Sequence, residues 1–165
     1  MAKSYCQIGR EDIKQILSAI YGEPKRIPLA SILMDIEEDD SVKNAASLWY
    51  VTKEDVRDHF GILQGVLIME AALQSIICIV EKMRLFPGHK PAFLGADGFR
   101  LLNPVLAGDE LVIWIQNIAW QGKKGSAVVN AWSKDKAIKV AAIRQLFFRA
   151  NSEKVARRLG FRQAA

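Results

Sequence analysis

GVLIMEAALQSIICIVEKMRLF, residues 65–86, is the longest helical pattern in the chain. At 3.6 residues per turn it amounts to roughly six turns, and it is apolar nearly all round, so it predicts a helix buried in a core rather than one lying on a surface. The run from Val66 to Val80 carries Glu70, Gln74 and Ser75 and stops at Glu81 and Lys82. It therefore falls short of the ~20 clean residues that a membrane span needs. Glu70 is the anomaly in this helix. Its same-face neighbours are Leu67, Leu73, Gln74, Ile77 and Cys78, and an ionised carboxylate buried among such groups must be paired, protonated or catalytic.

Working outward, Glu11–Ile20 spaces Ile13, Ile16, Leu17 and Ile20 at helical intervals, and Gly22 with Pro24 ends the helix. Residues 27–36 and 45–51, separated by the acidic turn EEDDSVKN, read as a hairpin. Thr52 opens TKED as an N-cap, with Asp55 at the third helical position. Past PGHKP come four strand-like stretches, 92–102, 110–120, 126–132 and 137–150, punctuated by GDE, QGKKG and SKDK. A short basic helical tail is expected from about Ser152. One buried helix among six antiparallel strands predicts an α+β domain whose sheet curls around that helix.

The 165 residues suit one domain, and half of them are hydrophobic, as in a globular protein. MAKSYCQIGREDIKQ resembles neither a secretory signal nor a transit peptide, which predicts a cytoplasmic protein. Cys6 and Cys78 are expected to be reduced thiols, since two cysteines make neither a disulfide framework nor a metal site. Of the 23 basic and 18 acidic residues, 11 and 2 respectively fall in 121–165. That basic end suits an acidic partner. Nucleic acid is disfavoured, because helix-turn-helix spacing, zinc ligands and an aromatic ladder among the lysines are all missing. The sequence SEKVARRLGFRQAA reads as a solvated end, with a docking helix as the alternative.

No phosphate-binding glycine loop, GxSxG or pair of metal-ligand histidines occurs, so no metal or organic cofactor is implied. The chemistry must come from DHFGILQGVLIMEAALQS, residues 58–75. Gln74, one turn beyond Glu70, can hold one carboxylate oxygen; a pair that only satisfies itself at an oligomer seam is the plainer alternative. His59 suits acid–base work near neutrality, or it merely caps a turn or stacks on Phe60. Gly65 either just starts the helix or lets backbone N–H groups approach a ligand carbonyl.

His59-Phe60, followed by Gly65-Val66-Leu67-Ile68-Met69-Glu70-Ala71-Ala72-Leu73-Gln74, closely resembles the signature of bacterial 3-hydroxyacyl-[acyl-carrier-protein] dehydratases of the hotdog fold. Phe99-Arg100 and Pro104-Val105-Leu106-Ala107-Gly108-Asp109 resemble that family's second block, and the likeness runs from about Asp12 to Ala150. It implies a sheet wrapped around the 65–86 helix and a homodimer or trimer of dimers in which His59 of one protomer meets Glu70 of the other across an acyl tunnel. It also implies a lyase of fatty-acid or related acyl biosynthesis that converts a 3-hydroxyacyl thioester, on acyl carrier protein or coenzyme A, to the trans-2-enoyl thioester. By the same likeness His59 removes the C2 proton, Glu70 protonates the departing hydroxyl and the Gly65 N–H polarises the thioester carbonyl. Val66, Gln74, Phe60 and Phe99 complete the substrate site, and the basic residues after Gly122 suit docking of an acidic carrier protein. Two features depart from the family pattern: the loop HFGILQGV is shorter, and Gln64 stands where a proline precedes the glycine. A hotdog thioesterase, with Glu70 activating water, and a non-catalytic acyl-binding protein are the alternatives.

Overall fold

The computed structural model describes residues 4–22 and 28–152. Its elements in chain order are β1 (Ser4–Gly9), α1 (Arg10–Tyr21), β2 (Leu29–Ile36), β3 (Val42–Tyr50), α2 (Lys53–Val56), α3 (Gly65–Lys82), β4 (His89–Asp97), β5 (Arg100–Leu101), β6 (Glu110–Gln121), β7 (Lys124–Ser133) and β8 (Ile138–Ser152). The strands form one antiparallel sheet in the order β1-β2-β3-β6-β7-β8-β4, with β5 also paired to β8. The expected helix within a curled sheet is present, with eight strands where the sequence predicts six.

α3 supplies the centre of the core. Ile68, Ala71, Ala72, Ile76 and Ile77 are essentially inaccessible, and so are the sheet residues Ile32, Met34, Trp49, Ile113, Ile115, Val129, Ile143 and Leu146. α1 adds Ile13, Leu17 and Ile20 along one stripe. Apolar area removed from water at ~25 cal/mol per Å² makes this cluster the main stabilising term. One polar pin crosses it. The Ser75 hydroxyl donates to Ala71 O at 2.8 Å, so the Ser47 hydroxyl on β3 donates to Ser75 at 2.7 Å, and both side chains are buried yet satisfied.

Several expectations change: α3 ends at Lys82 rather than Phe86, about five turns rather than six, and β3 begins at Val42, inside the expected turn. β1 is absent from the sequence reading: it is a six-residue edge strand that buries fully only Ile8, too short for alternation to stand out. The stretch 92–102 is interrupted at Gly98 and Phe99, although its register continues from Asp97↔Gln145 to Arg100↔Ala142. Gly98 has φ +65°, and a Cβ there would lie 2.8 Å from Arg144 Cβ, so no other residue fits this position without strain. At the C-terminal end, β8 runs through Ser152 as strand; the rest of the expected basic helical tail, like Pro24 and Ile27, lies outside the described residues.

Candidate active site

The N-terminus of α3 is the natural anchor. By position the Gly65 and Val66 N–H groups have no intrahelical acceptor, whereas the Leu67 N–H donates to Gln64 O at 3.0 Å, and Gln64, the N-cap residue, makes no side-chain capping bond. Those donors, backed by the helix dipole, are suited to a carbonyl or other partly negative oxygen. Gly65 is favoured by crowding rather than by its φ. A Cβ at this position would lie 2.6 Å from Phe99 Cζ and 3.7 Å from Leu101 Cδ1. The interruption between β4 and β5 thus lays the Phe99 ring over the helix start, and the two sequence blocks meet here.

His59 is delivered by a tightly held loop. Thr52 and Asp55 form the expected capping box: the Thr52 N–H donates to Asp55 Oδ2 at 2.8 Å, and the Asp55 N–H donates to Thr52 Oγ1 at 3.4 Å. After the single turn of α2, Phe60 and Gly61 both take positive φ, +53° and +77°, and the Ile62 N–H donates to His59 O at 2.9 Å. This is the dihedral signature of a type I′ turn, which reverses the chain in few residues and accommodates the short loop. The loop is then clamped by the second block. Leu63 N–H donates to Val105 O at 2.9 Å, and Ile62 bridges Leu106. Asp109 braces that block by accepting from Leu106 N–H at 3.0 Å and pairing with Lys136 Nζ at 2.8 Å. Burial works to raise the Asp109 carboxyl, but the Leu106 N–H and the Lys136 ammonium outweigh it and hold it below the ordinary aspartate value.

The His59 side chain is exposed, and its Nδ1 lies 2.9 Å from Asp58 O and 2.9 Å from Gln64 Nε2. Glu70 accepts from Gln74 Nε2 at 3.3 Å, which is the anticipated pair. The burial expected for Glu70 is corrected: in the single chain its side chain is exposed, as is Val66 one turn before it. The sheet and α1 enclose α3 chiefly from Ala71 onward, leaving one face of its first turns uncovered. Gln74 is the reverse case. It is buried, and its Oε1 has no hydrogen-bond partner among the described residues. Tyr21, at the end of α1, has no motif to announce it. Burial first, and then electrostatic coupling to Glu70 and to Cys78, push its hydroxyl up to about 12, so it stays neutral. The Cys78 thiol, driven to about 12 by burial and then by Glu81, is unreactive; it and Cys6 are both free.

Within one chain the candidate residues fall into two bonded or packed groups. One joins His59, Gln64, Gly65 and Phe99; the other joins Glu70 and Gln74. Phe60 is fully exposed and lines nothing in the protomer.

Known proteins resemble the chain in both sequence and architecture. Over 121 residues the chain is 32% identical to the 3-hydroxyacyl-[acyl-carrier-protein] dehydratase FabZ of Halalkalibacterium halodurans, covering 70% of this chain and 81% of that one. The chain belongs to the FabZ dehydratase family. The FabZ of Thermus thermophilus is 29% identical over 124 residues, covering 73% of this chain and 85% of that enzyme. No family model matches the chain. Among solved structures, the dehydratase heterocomplex ApeI:P of Xenorhabdus doucetiae superposes with a TM-score of 0.62 at 15% identity, covering 81% of this chain and 88% of that one. A hot-dog-like protein from Thermanaerovibrio acidaminovorans gives 0.59 at 13% identity, covering 71% and 87%. These likenesses establish the hotdog fold. Among the described residues no helix is long and apolar enough to cross a membrane.

Proposed function

We propose that this FabZ-family chain dehydrates a 3-hydroxyacyl thioester, on acyl carrier protein or coenzyme A, to the trans-2-enoyl thioester in fatty-acid or related acyl synthesis. The observation that carries the reading is the pairing, in a chain of this family, of an exposed imidazole with an uncapped helix N-terminus one residue past its hydrogen-bond partner. The thioester carbonyl accepts from the Gly65 N–H, which stabilises the enolate oxygen as His59 removes a proton from C2. The C3–O bond then breaks, and Glu70 supplies the proton with which the hydroxyl leaves as water. Proton exchange with solvent resets His59 and Glu70. Val66, Phe60 and Phe99 give the acyl chain its apolar lining, and Gln74 holds Glu70 in place.

A second copy of the chain completes the site. The two groups of residues in a single chain hold His59 and Glu70 on separate partners. β4, at the edge of the sheet, exposes Phe93 and Leu94, and Phe60, Ile62 and Val66 are exposed beside the candidate groups. An apolar sheet edge of this kind favours pairing with another edge. A dimer placing His59 of one protomer against Glu70 of its partner, alone or within a trimer of dimers, covers these groups and turns the exposed Glu70 inward. The acidic carrier protein suits the basic excess after Gly122.

The test is mass spectrometry of the purified protein with short and medium 3-hydroxyacyl thioesters on carrier protein and on coenzyme A. Loss of one water from the substrate, abolished in both His59→Ala and Glu70→Ala, is the expected result. Release of free acid that survives His59→Ala identifies a thioesterase instead, and unchanged substrate across the series overturns the enzymatic reading for these acyl groups.

A further inference from the structure

The residue that departs from the family pattern is also the one that touches the histidine. Gln64 is the N-cap of α3, but its side chain turns away from the helix and its amide nitrogen lies 2.9 Å from His59 Nδ1. Its backbone is fixed on both sides: Gln64 O accepts from Leu67 N–H at 3.0 Å, and the preceding Leu63 is tied to Val105. The left-handed pair Phe60 and Gly61 folds the chain back so that residue 64 returns to residue 59.

The second contact of Nδ1 decides the polarity of the first. Asp58 O, at 2.9 Å, is a backbone carbonyl and can only accept. Nδ1 satisfies it only as N–H. An amide NH2 facing that same N–H would set donor against donor, whereas a half-turn of the Gln64 amide exchanges its oxygen and nitrogen with little change in shape. Nδ1–H is then shared between Asp58 O and Gln64 Oε1, and Nε2 keeps its lone pair.

We propose that Gln64 is a positioning residue that holds His59 as the Nδ1–H tautomer, so that Nε2 is presented as the base. The assignment rests on the dehydratase reading of His59. A proline at position 64 has no side-chain acceptor and leaves that job to the Asp58 carbonyl alone, so the glutamine that replaces it in this shortened loop supplies a second tether for the imidazole. One hydrogen bond of this kind is expected to change turnover by about three- to tenfold, without altering substrate affinity, because Gln64 acts through His59 rather than on the acyl chain.

The experiment is nitrogen-15 NMR of full-length protein labelled at histidine, read beside steady-state kinetics. Only His59 and His89 contribute signals, and a His89→Asn variant separates them. Wild type is expected to show His59 protonated at Nδ1 with an unprotonated Nε2. Gln64→Leu and Gln64→Asn, the second too short to reach, should both raise the Nε2–H population and lower kcat about three- to tenfold at unchanged KM. Gln64→Glu, which only accepts, should restore the Nδ1–H form. Wild-type His59 protonated at Nε2 when neutral, or a tautomer and kcat unmoved in Gln64→Leu or Gln64→Asn, overturns the proposal. The NMR result stands without turnover: the expected tautomers in a protein inactive on every thioester would uphold the Gln64 contact and sink the dehydratase reading alone.

Discussion

Two inactive variants are expected to make an active enzyme when mixed. If each site takes His59 from one protomer and Glu70 from the other, a homodimer of His59→Ala has no intact site and neither has a homodimer of Glu70→Ala. A mixed dimer pairs the two lesions in one site and leaves wild-type His59 facing wild-type Glu70 in the other. The two-fold symmetry of such a dimer makes its sites equivalent, so equal mixing with free exchange gives about half mixed dimers and about one intact site in four. Activity should therefore recover to about a quarter of wild type. The expectation rests on the proposed dimer; within one chain His59 is bonded to Asp58 and Gln64, and Glu70 to Gln74. The assay mixes the purified variants, follows subunit exchange by native mass spectrometry, and measures water loss at intervals. Exchange without recovery, with wild-type turnover intact, would refute the shared site and require both groups to act from one chain.

Asp109→Asn should destabilise the protein by about 1–3 kcal/mol in urea titrations, the range for a buried charged hydrogen bond lost, since Asp109 braces Leu106 and pairs with Lys136. The folded-state Asp109 carboxyl lies below its ordinary value, so its contribution is complete above the unfolded aspartate value and fades as pH falls through the lower folded one. The stability gap to Asp109→Asn should accordingly be largest near neutrality and close in acid; a gap that grows in acid contradicts the brace. Phe60→Gly relieves a left-handed φ worth ~1–2 kcal/mol against ~0.4–1 kcal/mol of added chain entropy, so its melting temperature should hold or rise while turnover falls through loss of acyl lining. Gly65→Ala drives a methyl into Phe99; its turnover should drop, and Phe99→Ala in the same chain should recover part of the loss, which a double-mutant cycle measures.

Legibility followed the range of the physics. Periodicity and caps are local, and they located α1, the Thr52–Asp55 capping box and α3 from residues near each element. The Glu70–Gln74 pair was legible for the same reason, because helical spacing alone puts the two side chains together. Burial is not local. Neighbours on its own helix made Glu70 look enclosed, yet enclosure depends on what packs across that face, and among the described residues Glu70 is exposed. β1 was missed because its strand character comes from pairing with β2, from Ser4↔Ile36 to Gly9↔Ser31, rather than from its own six residues. Tyr21 reaches the field of Glu70 only through the packing of α1 against α3, which no spacing in the chain encodes.

Gln64 shows where a departure from pattern informs more than agreement with it. Its identity was plain in the sequence, but its effect depends on a reversal at Phe60 and Gly61 whose positive φ at a phenylalanine no propensity would favour. That strain is tolerated because the loop is tied at both ends, through His59 N–H to Val56 O at 3.2 Å and Leu63 N–H to Val105 O at 2.9 Å. A loop shortened without those ties would be free to relax, and the imidazole would lose its second acceptor. The clamp from the Pro104–Asp109 block is thus what makes the short loop compatible with an oriented histidine, and loosening it at Asp109 should blur the His59 tautomer as well as lower stability.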